Sequence, residues 1–213
     1  MKEIDLFEGK SVPCIVVDVQ PSYTGHLSLG QGPNPNYGWN ESLMEFLNNQ
    51  KSSILMFVNA EQDNLTSDTV DTIKEFWEDN GFDPENWNRV TVNDKGYGYL
   101  RGWMDSGVDH GFIIKTIREM YQYRHNDSRD MMQTGEYSAQ YRELVNQYLL
   151  ENSYLEDVIL EEPLSIYWTS IAQLKNFSGS YLMGGGREEC LLEVQLLMNA
   201  FNIRYKLIDK FIY

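Results

Sequence analysis

The apolar run Tyr181-Leu182-Met183 stops at three consecutive glycines, Gly184, Gly185 and Gly186, and a periodic apolar pattern starts again at Leu191. A strand that ends at glycines and feeds directly into a helix is the connection from which parallel α/β sheets are built. Glycines there let the backbone take a positive φ or come close to a ligand. The unpaired N–H groups of the helix start attract negative charge. Cys190, one of two cysteines in the chain, stands in that first turn, where a thiolate is favoured.

The rest of the chain repeats the alternation. Val12-Pro13-Cys14-Ile15-Val16-Val17 reads as a central strand buried on both faces, with Asp18 at its end. The stretch Pro21–Asn40 is rich in Gly, Pro and Asn and reads as a long loop. A helix opens at Asn40-Glu41-Ser42, and Ser53–Val58 is a second buried strand ending in Asn59, Glu61 and Asp63. Thr66-Ser67-Asp68 caps a helix carrying Val70, Ile73, Phe76 and Trp77, which Asn80-Gly81 stops. Arg89–Val92 is a third strand, followed by the hinged junction Asp94-Lys95-Gly96-Tyr97-Gly98-Tyr99. Residues 108–152 read as two helices broken at Asn126–Asp130, a helical insertion. Val158–Leu160 reads as a strand, Ile166–Leu174 as a helix, Ile203–Ile208 as a last strand, and Lys210–Tyr213 as a docked apolar tail. The expectation is one α/β domain over 1–213, a three-layer Rossmann-like fold with a mostly parallel sheet.

Charge and composition narrow the function classes. With 17 basic and 32 acidic residues the formal net charge is −15, which argues against broad binding to a nucleic-acid backbone or an anionic membrane. The first residues lack the basic and apolar regions of a signal peptide, and no apolar run approaches the ~20 residues of a membrane span. Two cysteines are too few for a disulfide scaffold. A cytoplasmic protein is expected. His26, His110 and His125 show no paired spacing for zinc.

Strand ends of a parallel sheet converge on one edge, so topology gathers Asp18, Asn59, Lys95 and the Gly184–Cys190 turn. At this point the residues resemble a family. Asp18 in Ile-Val-Val-Asp-Val-Gln is similar to the first-strand motif of the isochorismatase-like cysteine hydrolases, and Gly184–Leu191 resembles their nucleophile turn, with Ala200 downstream. The resemblance covers the two ends of the chain and, more loosely, Lys95. It implies Cys190 as nucleophile, Asp18 as the base that takes the thiol proton and later activates water, and Lys95 as the group that steadies the thiolate. It places the oxyanion at the N–H groups near Glu189 and Cys190. Gly185, Gly186, Glu189, Tyr97 and Arg101 become candidate contacts to a small amide-like substrate, with no cofactor required. The chain also resembles uncharacterised acidic proteins of large tailed phages.

Two other readings stay open. A PIN-like nuclease has a similar topology, and Asp18, Asp105, Asp127, Asp130 and Glu188 or Glu189 would then gather Mg²⁺ against a nucleic-acid phosphate held by Arg101, Arg129 and Arg187. The glycine-hinged aromatic tract Gly96–Trp103 would suit a stacked base. The third reading is a non-enzymatic acidic protein that blocks or recruits another protein, with self-association also open.

Overall fold

The structure is a computed structural model describing residues 11–28, 38–59, 68–124, 129–136 and 139–213. The chain divides into two compact units: Met1–Lys95 with Phe177–Leu191 and Arg204–Tyr213, and Gly96–Asn176 with Leu192–Ile203. In chain order the first unit contributes β1 (Cys14–Val17), α1 (Pro21–Ser28), α2 (Trp39–Asn49), β2 (Ile54–Val58), α3 (Val70–Asp79) and β3 (Val90–Asp94). The second holds β4 (Tyr97–Gly98), α4 (Leu100–Asp105), α5 (His110–Arg124), β5 (Met131–Gln133), α6 (Ala139–Glu151), α7 (Glu156–Glu161), β6 (Ser165–Tyr167) and α8 (Trp168–Lys175). The chain returns through β7 (Ser180–Gly184), α9 (Cys190–Ala200) and β8 (Tyr205–Leu207).

The main sheet runs β3-β2-β1-β7-β8, and each strand in it pairs parallel with its neighbours. The fold is α/β, a Rossmann-like arrangement of a parallel sheet flanked by helices. From β1 the chain winds outward through β2 and β3, then returns to lay β7 on the other side of β1. The order therefore reverses between β1 and β7, where Val17 pairs with Gly184. All four β1 residues are buried, as the continuous apolar run requires of a strand covered on both faces.

One face of this sheet carries Cys14, Val16, Ile54, Met56 and Met183, packed against Leu43 and Leu47 of α2 and Ile73 and Trp77 of α3. Each such buried side chain contributes about 1.5–3 kcal/mol. The Trp77 indole N–H donates to the Val19 carbonyl at 2.8 Å, so this buried ring meets its polar requirement. Phe211 is buried in the same core, so the tail docks as expected. Helix α3 is capped by Thr69, whose hydroxyl accepts from Thr72 N–H while the Thr72 hydroxyl accepts from Thr69 N–H. The cap expected over Thr66–Asp68 falls partly outside the described residues.

Several elements differ from expectation, the short strands β4 and β5 among them, β5 lying within the expected helical insertion. The loop read over Pro21–Asn40 begins with a helix, α1, started by Pro21 and by the Gln20 carbonyl, which accepts from Tyr23 and Thr24 N–H. Residues 29–37 lie outside the described residues. Val158–Leu160 is helical: Leu155 and Ile159 are buried four residues apart while Leu160 is exposed, a helix period rather than an alternation. Ile166 is in a strand, since β6 pairs antiparallel with both β4 and β5 in a separate sheet of order β4-β6-β5. Among the described residues no helix is long and apolar enough to cross a membrane.

Candidate functional site

In open parallel sheets ligands bind beyond the C-terminal strand ends, where the strand order reverses. Here that point lies between Asp18, the residue after β1, and the turn after β7. Asp18 is held there by its N–H, which donates to the Phe57 carbonyl at 3.0 Å. It has a φ of 50°, a left-handed conformation that Asp tolerates better than most residues. Gly184 and Gly185 follow with φ of 79° and 61°. The sharp turn thus places Cys190 at the start of α9.

Asp18 is fully buried and ion-paired with Lys95, itself only 3% exposed. Lys95 is positioned by its N–H, which continues the β2–β3 ladder onto the Val58 carbonyl at 3.1 Å. A buried ion pair is costly unless its geometry and partners compensate. Such pairs concentrate where perturbed charge serves chemistry.

Cys190 is half-buried, whereas Arg187, Glu188 and Glu189 are exposed. Two phenols report how the charges converge. Burial pushes the Tyr23 hydroxyl above its ordinary range, a hydrogen bond with Asn59 opposes this, and the charges of Asp18, Lys95 and Cys190 are all felt there. Burial likewise raises Tyr213, and Cys190 and Asp18 add to the shift. Both phenols therefore remain protonated hydrogen-bond donors at neutral pH. Tyr213 is seated by its N–H on the Gly185 carbonyl at 3.3 Å, and its own carbonyl accepts from Arg187 N–H at 3.1 Å. Its ring meets Trp39 edge-on with centroids 5.7 Å apart.

Gln20 is fully buried and extends the strand edge with its side chain. Its amide nitrogen donates to the Asn59 carbonyl and to Asp68, both at 3.0 Å, and its amide oxygen accepts from Asn59 N–H. Glu189 N–H donates to the Gly186 carbonyl at 3.0 Å within the turn.

The remaining expected residues have other surroundings. In the second unit the Tyr97 hydroxyl donates to Glu193 at 2.7 Å and Arg101 Nε donates to the same carboxylate at 3.0 Å. Glu193 is the centre of that network and was missed. Trp103 is buried, so the aromatic tract is core on that side, although Tyr99 is exposed. For the metal alternative, Asp105 is exposed at the end of α4, and the Asp130 carboxylate accepts from the Thr169 hydroxyl and N–H at the start of α8. Asp127, like Glu61 and Asp63, lies outside the described residues. Among the described residues no group of three or more His, Cys, Asp or Glu could hold a metal ion. Tyr23 was not singled out from sequence, Gln20 entered only as the last residue of the first-strand motif, and Tyr213 only as the end of the docked tail. The apolar tail was the only signal that could have found Tyr213.

The second cysteine is an internal control. Cys14 is fully buried on β1, and burial pushes its thiol up to about 12, with the Arg89 guanidinium opposing. The unfolded thiol ionises near 8.5. Above that pH the unfolded state binds fewer protons than the folded one, so stability falls as pH rises towards 12. Urea unfolding at pH 8 and pH 10.5 should show Cys14→Ala escaping roughly 2 kcal/mol of the decline that wild type suffers. Equal declines in both proteins would contradict this. No protein-family model, curated protein or solved structure matches this chain.

Proposed function

We propose that the chain is a hydrolase that uses Cys190 as a covalent nucleophile on an amide or similar small substrate at the switch point of the sheet. The observation that carries this reading is the buried Asp18–Lys95 ion pair at the strand ends beside the nucleophile turn. Two charges kept from water at a ligand-binding edge fit catalysis better than packing, because packing alone is served more cheaply by apolar groups.

In the reaction, Asp18 takes the Cys190 thiol proton as sulfur attacks the carbonyl carbon. The tetrahedral oxyanion draws on the Cys190 backbone N–H at the helix start, because the Arg187 and Glu189 N–H groups of the turn donate to the Tyr213 and Gly186 carbonyls. Collapse breaks the C–N bond, Asp18 returns its proton to the leaving amine, and a thioester remains on Cys190. Asp18 then deprotonates water, which attacks the thioester, and the thiol is regenerated with release of a carboxylic acid. Lys95 balances the negative charge throughout. Tyr23 and Tyr213, held neutral, are donors for polar atoms of the substrate.

The test is the rate of iodoacetamide labelling across pH. In a Cys14→Ala background, Cys190 should react rapidly with an apparent pKa below the ~8.5 of a free thiol, and Asp18→Asn should change that profile. Amide substrates should then turn over with wild type and not with Cys190→Ala. A profile like that of a free thiol, indifferent to Asp18→Asn, would sink the cysteine-hydrolase reading.

A further inference from the structure

The stretch from Glu143 to Leu174 contains no lysine, arginine or histidine but carries six acids: Glu143, Glu151, Glu156, Asp157, Glu161 and Glu162. All six are exposed. Set among them are Leu150, 84% exposed, Tyr154, 74% exposed, and Leu160, 56% exposed, three of the six exposed large hydrophobic side chains among the described residues. Isolated exposed leucines need no explanation. Two leucines and a tyrosine exposed within one short segment, whose charged residues are all acidic, form a patch with a chemical preference.

The patch has shape as well. A cavity of about 340 Å³ opens beside it, walled by Thr134, Tyr141, Arg142, Val145, Ile159 and Leu160. Arg142, Asn146 and Leu150 are spaced four apart on α6, so the cavity wall and exposed Leu150 share one helix stripe. Leu160 belongs to both cavity and patch. The floor is built of Val145 and Ile159, both buried, with the buried Tyr141 phenol and Thr134 hydroxyl as polar points. Glu156 lies one turn before Leu160 on α7, so the acidic rim follows the apolar row.

We propose that this face of α6 and α7 is a docking surface for a basic amphipathic helix of a partner protein. Charge complementarity selects a cationic occupant. The surface consists of helix sides, whose backbone groups are already paired, so it recognises side chains rather than adding a strand. This is the helix-in-groove mode, in which apolar anchors at i, i+3/i+4 and i+7 fill the groove and flanking lysines or arginines meet the carboxylates. Arg142, about 12 Å along α6 from Leu150, is the only basic residue lining the cavity among the described residues. It contributes nothing to attracting a cation. The inference is independent of the proposed hydrolase activity.

The probe is a fluorescein-labelled four-turn Lys/Leu peptide with helical spacing, read by anisotropy. The expected result is saturable binding that weakens with salt. Affinity should fall about tenfold or more in Leu150→Ser/Tyr154→Ser/Leu160→Ser and in Glu156→Lys/Asp157→Lys/Glu161→Lys, and should hold or rise in Arg142→Ala. All substituted side chains are exposed, and unchanged thermal melting verifies the fold. The proposal is overturned if binding is not saturable, or if neither variant weakens it. It is also overturned if a peptide of the same composition in scrambled order binds equally well. Sedimentation adds a last outcome: a wild-type dimer that the apolar variant converts to monomer would assign the face to a second copy and overturn the cationic partner.

Discussion

Gly184→Ala is expected to cost about 2–5 kcal/mol, enough to threaten the folding of a domain whose total stability is about 5–15 kcal/mol. Two effects combine. The φ of 79° places any L side chain in the left-handed region, which costs about 1–2 kcal/mol. A Cβ there would also collide with the Val17 carbonyl oxygen and stand 2.9 Å from Val19 Cγ2 and 3.0 Å from Val17 N. Overpacking of this kind costs about 1–3 kcal/mol. Two of the colliding atoms are backbone of the central strand, locked by the pairing of Val17 with Gly184, so the neighbour cannot move without loosening β1 from β7. Gly81→Ala separates the two effects, because Gly81 has a φ of 93° but nothing within 4 Å of the new Cβ. It should lose only the strain, about 1–2 kcal/mol. Denaturant unfolding of both variants decides the matter: equal losses would mean that the close approach of β7 to Val17 is absent.

That contact also shows which parts of the molecule were readable beforehand. The strands β1, β2 and β7 were legible because their apolar runs are buried on both faces and end at a polar residue or a glycine. Asp18 and Lys95 were legible for the same reason, since a polar residue directly after a buried strand lies on the binding edge. Helix α1 was not, because Pro21, Ser22, Gly25 and Ser28 have low helix propensity and the helix is held by tertiary bonds, such as Ser22 N–H to Asp68 at 3.0 Å. The strands β4, β5 and β6 are too short for an alternation to register. Glu193 was hidden because its partner Tyr97 is 96 residues away. Tyr23 and Tyr213 acquire their surroundings only when both ends of the chain meet the switch point, which no local pattern records.

Lys95→Met is expected to destabilise the protein by about 3–5 kcal/mol, the cost of leaving one charge of a buried pair unpaired. Methionine fills much of the same volume, so the loss is electrostatic rather than a cavity. Asp18→Asn should be costly in the same sense, because it strands the Lys95 ammonium. Asparagine is close in shape and tolerates the φ of 50° that Asp18 adopts, so backbone strain does not confuse the comparison. The double variant Asp18→Asn/Lys95→Met should recover a large part of the combined loss. A coupling of roughly 2 kcal/mol or more in a double-mutant cycle is the signature of a direct, desolvated pair. Purely additive losses would show that the two side chains do not depend on each other. The same cycle bears on catalysis. If the pair serves chemistry, the double variant regains stability but no turnover, since neither the base at Asp18 nor the charge at Lys95 returns. If it serves only the fold, thiol reactivity at Cys190 would follow stability and return with it. Measuring unfolding free energy and iodoacetamide rate on the same four proteins therefore separates a structural pair from a catalytic one.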